Sequence, residues 1–179
     1  NRSPPSSSPG ETLRRLFGGR LTPVATWLIL IEVAAFIVYA FASGPAAWRE
    51  HLALSPQRAI GRLEIWQIVT ALWFHLSGFA LLWNAIGLFV LAPLLERPWG
   101  SRRFLIFFLV TGLAGNLAAA LLGAAFGLTQ ALGGCGPSIL ATMVAFGFVY
   151  RRQQLLFFGF APMRGLHLSV FFTGLWLVL

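Results

Sequence analysis

Charge is scarce in this chain, and what there is leans one way. Only 10% of the 179 residues are charged, thirteen basic against five acidic, and the basic residues are all Arg, with no Lys. Set beside 58% hydrophobic content and a mean hydropathy of +0.78, this excludes an ordinary soluble domain. The single cysteine, Cys135, excludes an internal disulfide. There is no C-x-x-C, no His pair at helical spacing and no phosphate loop, so no metal and no cofactor is expected. Residues 1–10 are rich in Pro and Ser and lack an apolar run, so they read as a linker and not as a signal peptide. A net charge of +8 would suggest nucleic acid in a soluble protein. Here the arginines sit in short loops between apolar runs. Membrane topology accounts for them, and no nucleic-acid partner is expected.

What is present is apolar length. A bilayer needs roughly 20 apolar residues per helical span. Five such stretches can be read, at about 22–43, 79–95, 104–126, 136–150 and from 165 to the end at 179. Between the first two lies a long mixed segment, 44–78. It interleaves Trp48, Leu52, Leu54, Ile60, Leu63, Ile65 and Trp66 with polar residues, the composition of short amphipathic helices lying in the interface. The chain thus divides into a Pro/Ser-rich, Arg-containing segment, 1–21, and a transmembrane domain, 22–179. The last apolar run is still unbroken at Leu179, so that span is expected to continue beyond it.

The arginines set the orientation. Arg2, Arg14, Arg15, Arg20, Arg97, Arg102, Arg103, Arg151, Arg152 and Arg164 fall on one side of the predicted spans, and Arg49, Arg58 and Arg62 on the other. The positive-inside bias then places the N-terminus in the cytoplasm. The 44–78 segment and the 127–134 loop face outward.

The motifs lie in the outward loops and at the span ends. Trp66-Gln67-Ile68-Val69-Thr70 is followed by Phe74 and His75, then Asn84, then Glu96-x-x-x-Gly100 with Arg102 and Arg103. The run Gly134-Cys135-Gly136-Pro137-Ser138 opens the fourth span. In this order the segments resemble the rhomboid family of intramembrane serine proteases, which reads W-R-x-x-T, F-x-H, H-x-x-x-N, E-x-x-x-G and G-x-S-x. The resemblance covers roughly residue 27 to the end. It implies an all-α, polytopic helical bundle with a half-buried first loop and a sixth span carrying the catalytic His. It also implies an integral protein of a membrane, the bacterial inner membrane for a chain of this kind.

At the chemistry-bearing positions the sequence departs from that pattern. Laid on without gaps, the family's serine falls on Gly136, which has no side chain to attack a peptide bond. A shift of one residue puts Cys135 there, and a shift of two the other way puts Ser138 there. A serine or thiol nucleophile needs an imidazole within hydrogen-bond reach. The histidines are His51, His75 and His167, and none stands where the family's base does. The family's H-x-x-x-N supplies side chains toward a developing oxyanion. Its His falls on Ala80, and Asn84 is kept. Trp66, Thr70, His75, Glu96, Gly100, Arg103 and Gly134 match positions that the resemblance marks as structural. Taken together, Gly136 and Ala80 imply a pseudoprotease that binds other transmembrane helices as a subunit or scaffold of a membrane complex. The alternative is an active intramembrane serine endopeptidase using Ser138 or Cys135 with a His beyond residue 179.

Two further features need a reading. Glu32 lies in the middle of the first span, where a carboxylate costs about 2.5–3.5 kcal/mol on insertion scales. It is therefore expected inside the bundle, hydrogen-bonded to a group such as Asn84, Asn116 or Thr111, or else touching another membrane subunit. Gly112-x-x-Gly115 and Gly123-x-x-x-Gly127 on the third span are small-residue patterns that suit close helix packing.

The orientation can be checked with single cysteines introduced at Ser55 and Ser101. A membrane-impermeant maleimide applied from outside is expected to label position 55 and to spare position 101. The reverse pattern would invert the topology.

Overall fold

The computed structural model describes residues 21–41, 45–152, 154–157 and 161–178. The Pro/Ser-rich segment with Arg2, Arg14, Arg15 and Arg20 lies outside these. Helix α1 spans Pro23–Phe41. Three short helices follow in the first loop: α2, Pro45–Leu52; α3, Pro56–Ala59; and α4, Gln67–Thr70. Then come α5, Gly78–Trp99; α6, Ser101–Ala125; and α7, Gly136–Val149. A small antiparallel hairpin, β1 (Gln154–Phe157) and β2 (Ala161–Arg164), leads into α8, Gly165–Val178. The helical membrane fold expected from the apolar runs is present. Helices α1, α5 and α6 are long and apolar enough to cross a bilayer, whereas α7 is shorter, with 14 residues. The hairpin was not expected. In the sequence its residues fall between the apolar runs 136–150 and 165–179.

Helix α5 starts and ends on local chemistry. Ser77 is its N-cap, its hydroxyl accepting the Ala80 N–H at 3.2 Å. At the other end Gly100, with φ +83°, turns the chain directly into α6. Just before that turn, the Glu96 carboxylate accepts the N–H groups of Val24 and Ala25, both at 3.1 Å, and the Ser101 hydroxyl at 2.6 Å. Those two N–H groups belong to the first turn of α1 and have no partner within their own helix. One carboxylate thus ties the start of α1 to the junction of α5 and α6, and its negative charge sits favourably at a helix N-terminus.

The core runs through α1, α5, α6 and α7, with Leu28, Leu88, Leu95, Phe104, Phe108, Ile139 and Met143 all buried. Helices α6 and α7 approach through small residues. A side chain at Gly112 would run into the Ser138 hydroxyl, and one at Gly115 into the ring of Pro137. Where two backbones come this close, glycine is what permits it. Polar side chains then bridge helices by donating to backbone carbonyls: Ser138 to Phe108 at 2.7 Å, Tyr150 to Leu94 at 2.9 Å and Ser169 to Met143 at 2.7 Å.

The first loop is held together by side-chain and backbone hydrogen bonds. Gln67 accepts the Ser55 N–H and donates to the Glu50 carbonyl and the Glu64 carboxylate, each at 2.9 Å. Asn116 of α6 donates to the Ile68 carbonyl at 3.0 Å. Leu54 and Leu132 exchange two backbone hydrogen bonds, at 2.8 and 2.9 Å, which join this loop to the one before α7.

Replacing Glu96 by Ala leaves two backbone N–H groups without acceptors. A loss of about 2–4 kcal/mol is expected on thermal unfolding in detergent. Glu96→Gln, which keeps one carbonyl acceptor, is expected to lose less.

Candidate functional site

The segment that opens α7 folds back onto the loop before α5. The Gly134 N–H donates to the Ala71 carbonyl at 2.7 Å, and Gly134 adopts φ +101°, a conformation side-chain-bearing residues rarely take. This brings the residues singled out around His75 and Cys135 together.

Asn84, on α5, donates from its amide nitrogen to Nε2 of His75 at 2.7 Å, and both residues are buried. Such a bond makes Nε2 the acceptor and puts the imidazole proton on Nδ1. Burial holds the His75 pKa below its ordinary value, which favours the neutral ring. Cys135, immediately before α7, is fully buried. Burial pushes its thiol well above the usual cysteine range, with the neighbouring Glu32 carboxylate adding to the shift. Glu32 itself, in the middle of α1, is fully buried, and its Oε2 lies 3.9 Å from Nε2 of His75. One ligand-type atom from each of Glu32, His75 and Cys135 falls within 4.8 Å of the other two.

The partners suggested for Glu32 by sequence are engaged elsewhere. Asn116 donates to Ile68, Thr111 donates to the Phe107 carbonyl, and Asn84 donates to His75. The reason is helical phase: the buried face of α1, with Ala25, Leu28 and Glu32, meets the His75–Cys135 side of the bundle.

The three candidates for the nucleophile position differ in surroundings. Gly136 is the first residue of α7. Ser138 is fully buried, its proton directed at the Phe108 carbonyl, and among the described residues no histidine is hydrogen-bonded to it. Cys135 has an imidazole and a carboxylate beside it, but its thiol is sealed from solvent and held protonated. Ala80 lies in the first turn of α5.

The remaining motif residues sit in the framework. Trp66 donates to the His51 carbonyl at 3.1 Å and Thr70 to the Leu52 carbonyl at 2.9 Å, which lace the first loop together. Arg103 is exposed in the first turn of α6. His167 is exposed near the start of α8, and His51 is exposed at the end of α2. The approach of Glu32 to His75 and Cys135 was not legible in the sequence, because each comes from a different segment. The only signal was a carboxylate inside an apolar run.

These features define a polytopic helical membrane protein whose loop-side ends of α5 and α7 converge on a buried polar cluster. The chain belongs to the rhomboid family: residues 62–179 match the Rhomboid domain. It is 28% identical over 99 residues to "Putative rhomboid protease YdcA" of Bacillus subtilis (strain 168), covering 55% of this chain and 49% of that protein. It is 26% identical over 104 residues to "RHOMBOID-like protein 1" of Arabidopsis thaliana, covering 56% and 27%. "Rhomboid-like protein 19" of Arabidopsis thaliana is 25% identical over 159 residues, covering 89% and 43%. The chain therefore spans less than half the length of these relatives.

A Cβ at Gly134 would lie 2.7 Å from the Asn84 amide nitrogen and 3.2 Å from Nε2 of His75. Gly134→Ala therefore combines backbone strain with a steric clash, and about 2–4 kcal/mol of destabilisation is expected. Gly127 also has positive φ, at +67°, but open space around it, so Gly127→Ala is expected to lose only about 1 kcal/mol. Equal losses in thermal unfolding would show that crowding at Gly134 is unimportant.

Proposed function

We propose that this rhomboid-like membrane protein lacks proteolytic activity and holds other transmembrane helices, as a subunit or scaffold of a membrane complex. The observation that carries the reading is Gly136, which falls at the family's nucleophile when the motif is laid on without gaps. The surroundings support it. Ser138 is buried and engaged with Phe108, and the Asn84 amide is directed at His75, so neither faces an open cleft. Loss of the nucleophile removes covalent catalysis, and loss of one oxyanion donor, as at Ala80, is worth about 10²–10³ in rate.

A surface suited to a foreign helix is available on α5. That helix packs on α1, α6 and α7. Its Phe79, Leu82, Ile86 and Phe89 remain exposed and recur at helical spacing along one face. In a bilayer, such a face meets lipid or another helix through van der Waals contact. In this reading residues 22–179 form the rhomboid-like membrane unit. Residues 1–21 form a cytoplasmic segment, and the bacterial inner membrane is the site of action.

One observation favours a second reading, an active intramembrane protease. Cys135 lies with His75 and Glu32 in a thiol–imidazole–carboxylate set. The full burial and raised pKa of the thiol weigh against it, since the thiolate is the nucleophile. Ser138 with a histidine beyond residue 179 is the other route to the same activity.

The full-length protein, incubated with a fluorophosphonate probe, a thiol-directed probe and a helical reporter substrate, is expected to show neither labelling nor cleavage. A photo-crosslinker at Leu82 or Phe89 is expected to capture a membrane protein from native membranes. Cleavage that is lost on Ser138→Ala or Cys135→Ala would overturn the scaffold reading and establish the protease.

A further inference from the structure

The cluster of Glu32, His75 and Cys135 has a property that a helix scaffold does not require. Neither oxygen of the fully buried Glu32 carboxylate has a nitrogen or oxygen hydrogen-bond partner; the neighbour placed to donate to it is the Cys135 thiol, a weak donor. A buried, unpartnered carboxylate is strongly disfavoured, and native proteins pair it or coordinate a metal with it. The groups around it are an imidazole with its Nε2 lone pair turned inward and a thiol, which are the side chains that bind borderline-soft divalent ions.

We propose that Glu32, His75 and Cys135 form a divalent transition-metal site, matched to zinc, that joins α1 to the loops preceding α5 and α7. The distances suit it. Ligand atoms on a tetrahedral zinc stand about 3.3–3.6 Å apart, given bonds of about 2.0–2.3 Å. The Glu32–His75 separation is 3.9 Å and all three ligand atoms lie within 4.8 Å, so the site closes by movements of about an ångström. The charges suit it as well. One carboxylate and one thiolate balance a 2+ ion, and the imidazole stays neutral, so the occupied site carries no net charge into a low-dielectric interior. Binding expels the thiol proton, and that of Glu32 where it is protonated, to solvent. The Asn84 amide now donates to Nε2. Rotating it frees that lone pair and presents its carbonyl oxygen to the fourth position. The result is a closed, structural site, and it makes the neighbouring thiol a ligand, not a nucleophile.

The test uses the full-length chain, purified in detergent without chelator and without a histidine tag. Elemental analysis is expected to find about one zinc per chain, either as isolated or after incubation with zinc chloride. Cobalt-loaded protein is expected to show a thiolate-to-metal charge-transfer band that Cys135→Ser abolishes. Zinc affinity is expected to fall more than about tenfold in Cys135→Ser and Glu32→Gln. Thermal unfolding separates ligation from a folding defect. Glu32→Gln removes a buried carboxylate whose one neighbouring donor is a weak thiol, so without metal it is expected to be at least as stable as the parent. With zinc, only the parent is expected to gain. Failure of the parent to bind either ion, or variants that bind as tightly as the parent, would overturn the proposal. Neither result bears on whether the protein cleaves substrates.

Discussion

Inside a bilayer no solvent is available to satisfy a stray polar group, and this constraint governs the bundle. Several of its buried polar side chains are bonded to backbone atoms of other segments. Glu96 takes two N–H groups from α1, Ser138 reaches a carbonyl of α6, and Tyr150 reaches one of α5. Each such contact does two things. It satisfies a group that lipid would leave unpaired, and it fixes how one helix sits against another where apolar packing alone would permit sliding. Glu32 departs from this pattern: neither of its oxygens meets a backbone N–H, and its neighbours are the side chains of His75 and Cys135.

The same constraint explains why the first loop is so heavily cross-linked. Gln67 and Thr70 tie its three short helices to one another, and the Leu54–Leu132 pairing ties them to the loop before α7. That loop-to-loop pairing, together with the Gly134 contact to Ala71, sets the height at which Cys135 and Gly136 enter α7. Small residues complete the arrangement. With Gly112 and Gly115 under Ser138 and Pro137, the start of α7 lies directly on α6.

In this family member the space beside Gly134 is filled by the hydrogen-bonded His75–Asn84 pair. Ser138 and Cys135 are both turned into the protein rather than toward a cleft. The Ser138 hydroxyl serves a helix–helix hydrogen bond, and the Cys135 thiol is enclosed beside Glu32 and His75.

Much of the fold was legible by composition, because an apolar run long enough to cross a membrane has few alternatives. The five helical stretches and the amphipathic first loop follow from hydropathy and length. The two-stranded link before α8 does not, since Gln154–Phe157 and Ala161–Arg164 are short apolar runs of no distinctive period. The sequence by itself also determined that Glu32 must be kept from lipid, which would not accept a carboxylate. Which partners it meets was decided only by the tertiary structure. Its neighbours His75 and Cys135 lie 43 and 103 residues away in the chain, and only the phase of α1 and the fold-back at Gly134 set them side by side. Local periodicity carries information about which face of a helix is buried, but none about which distant segment covers that face.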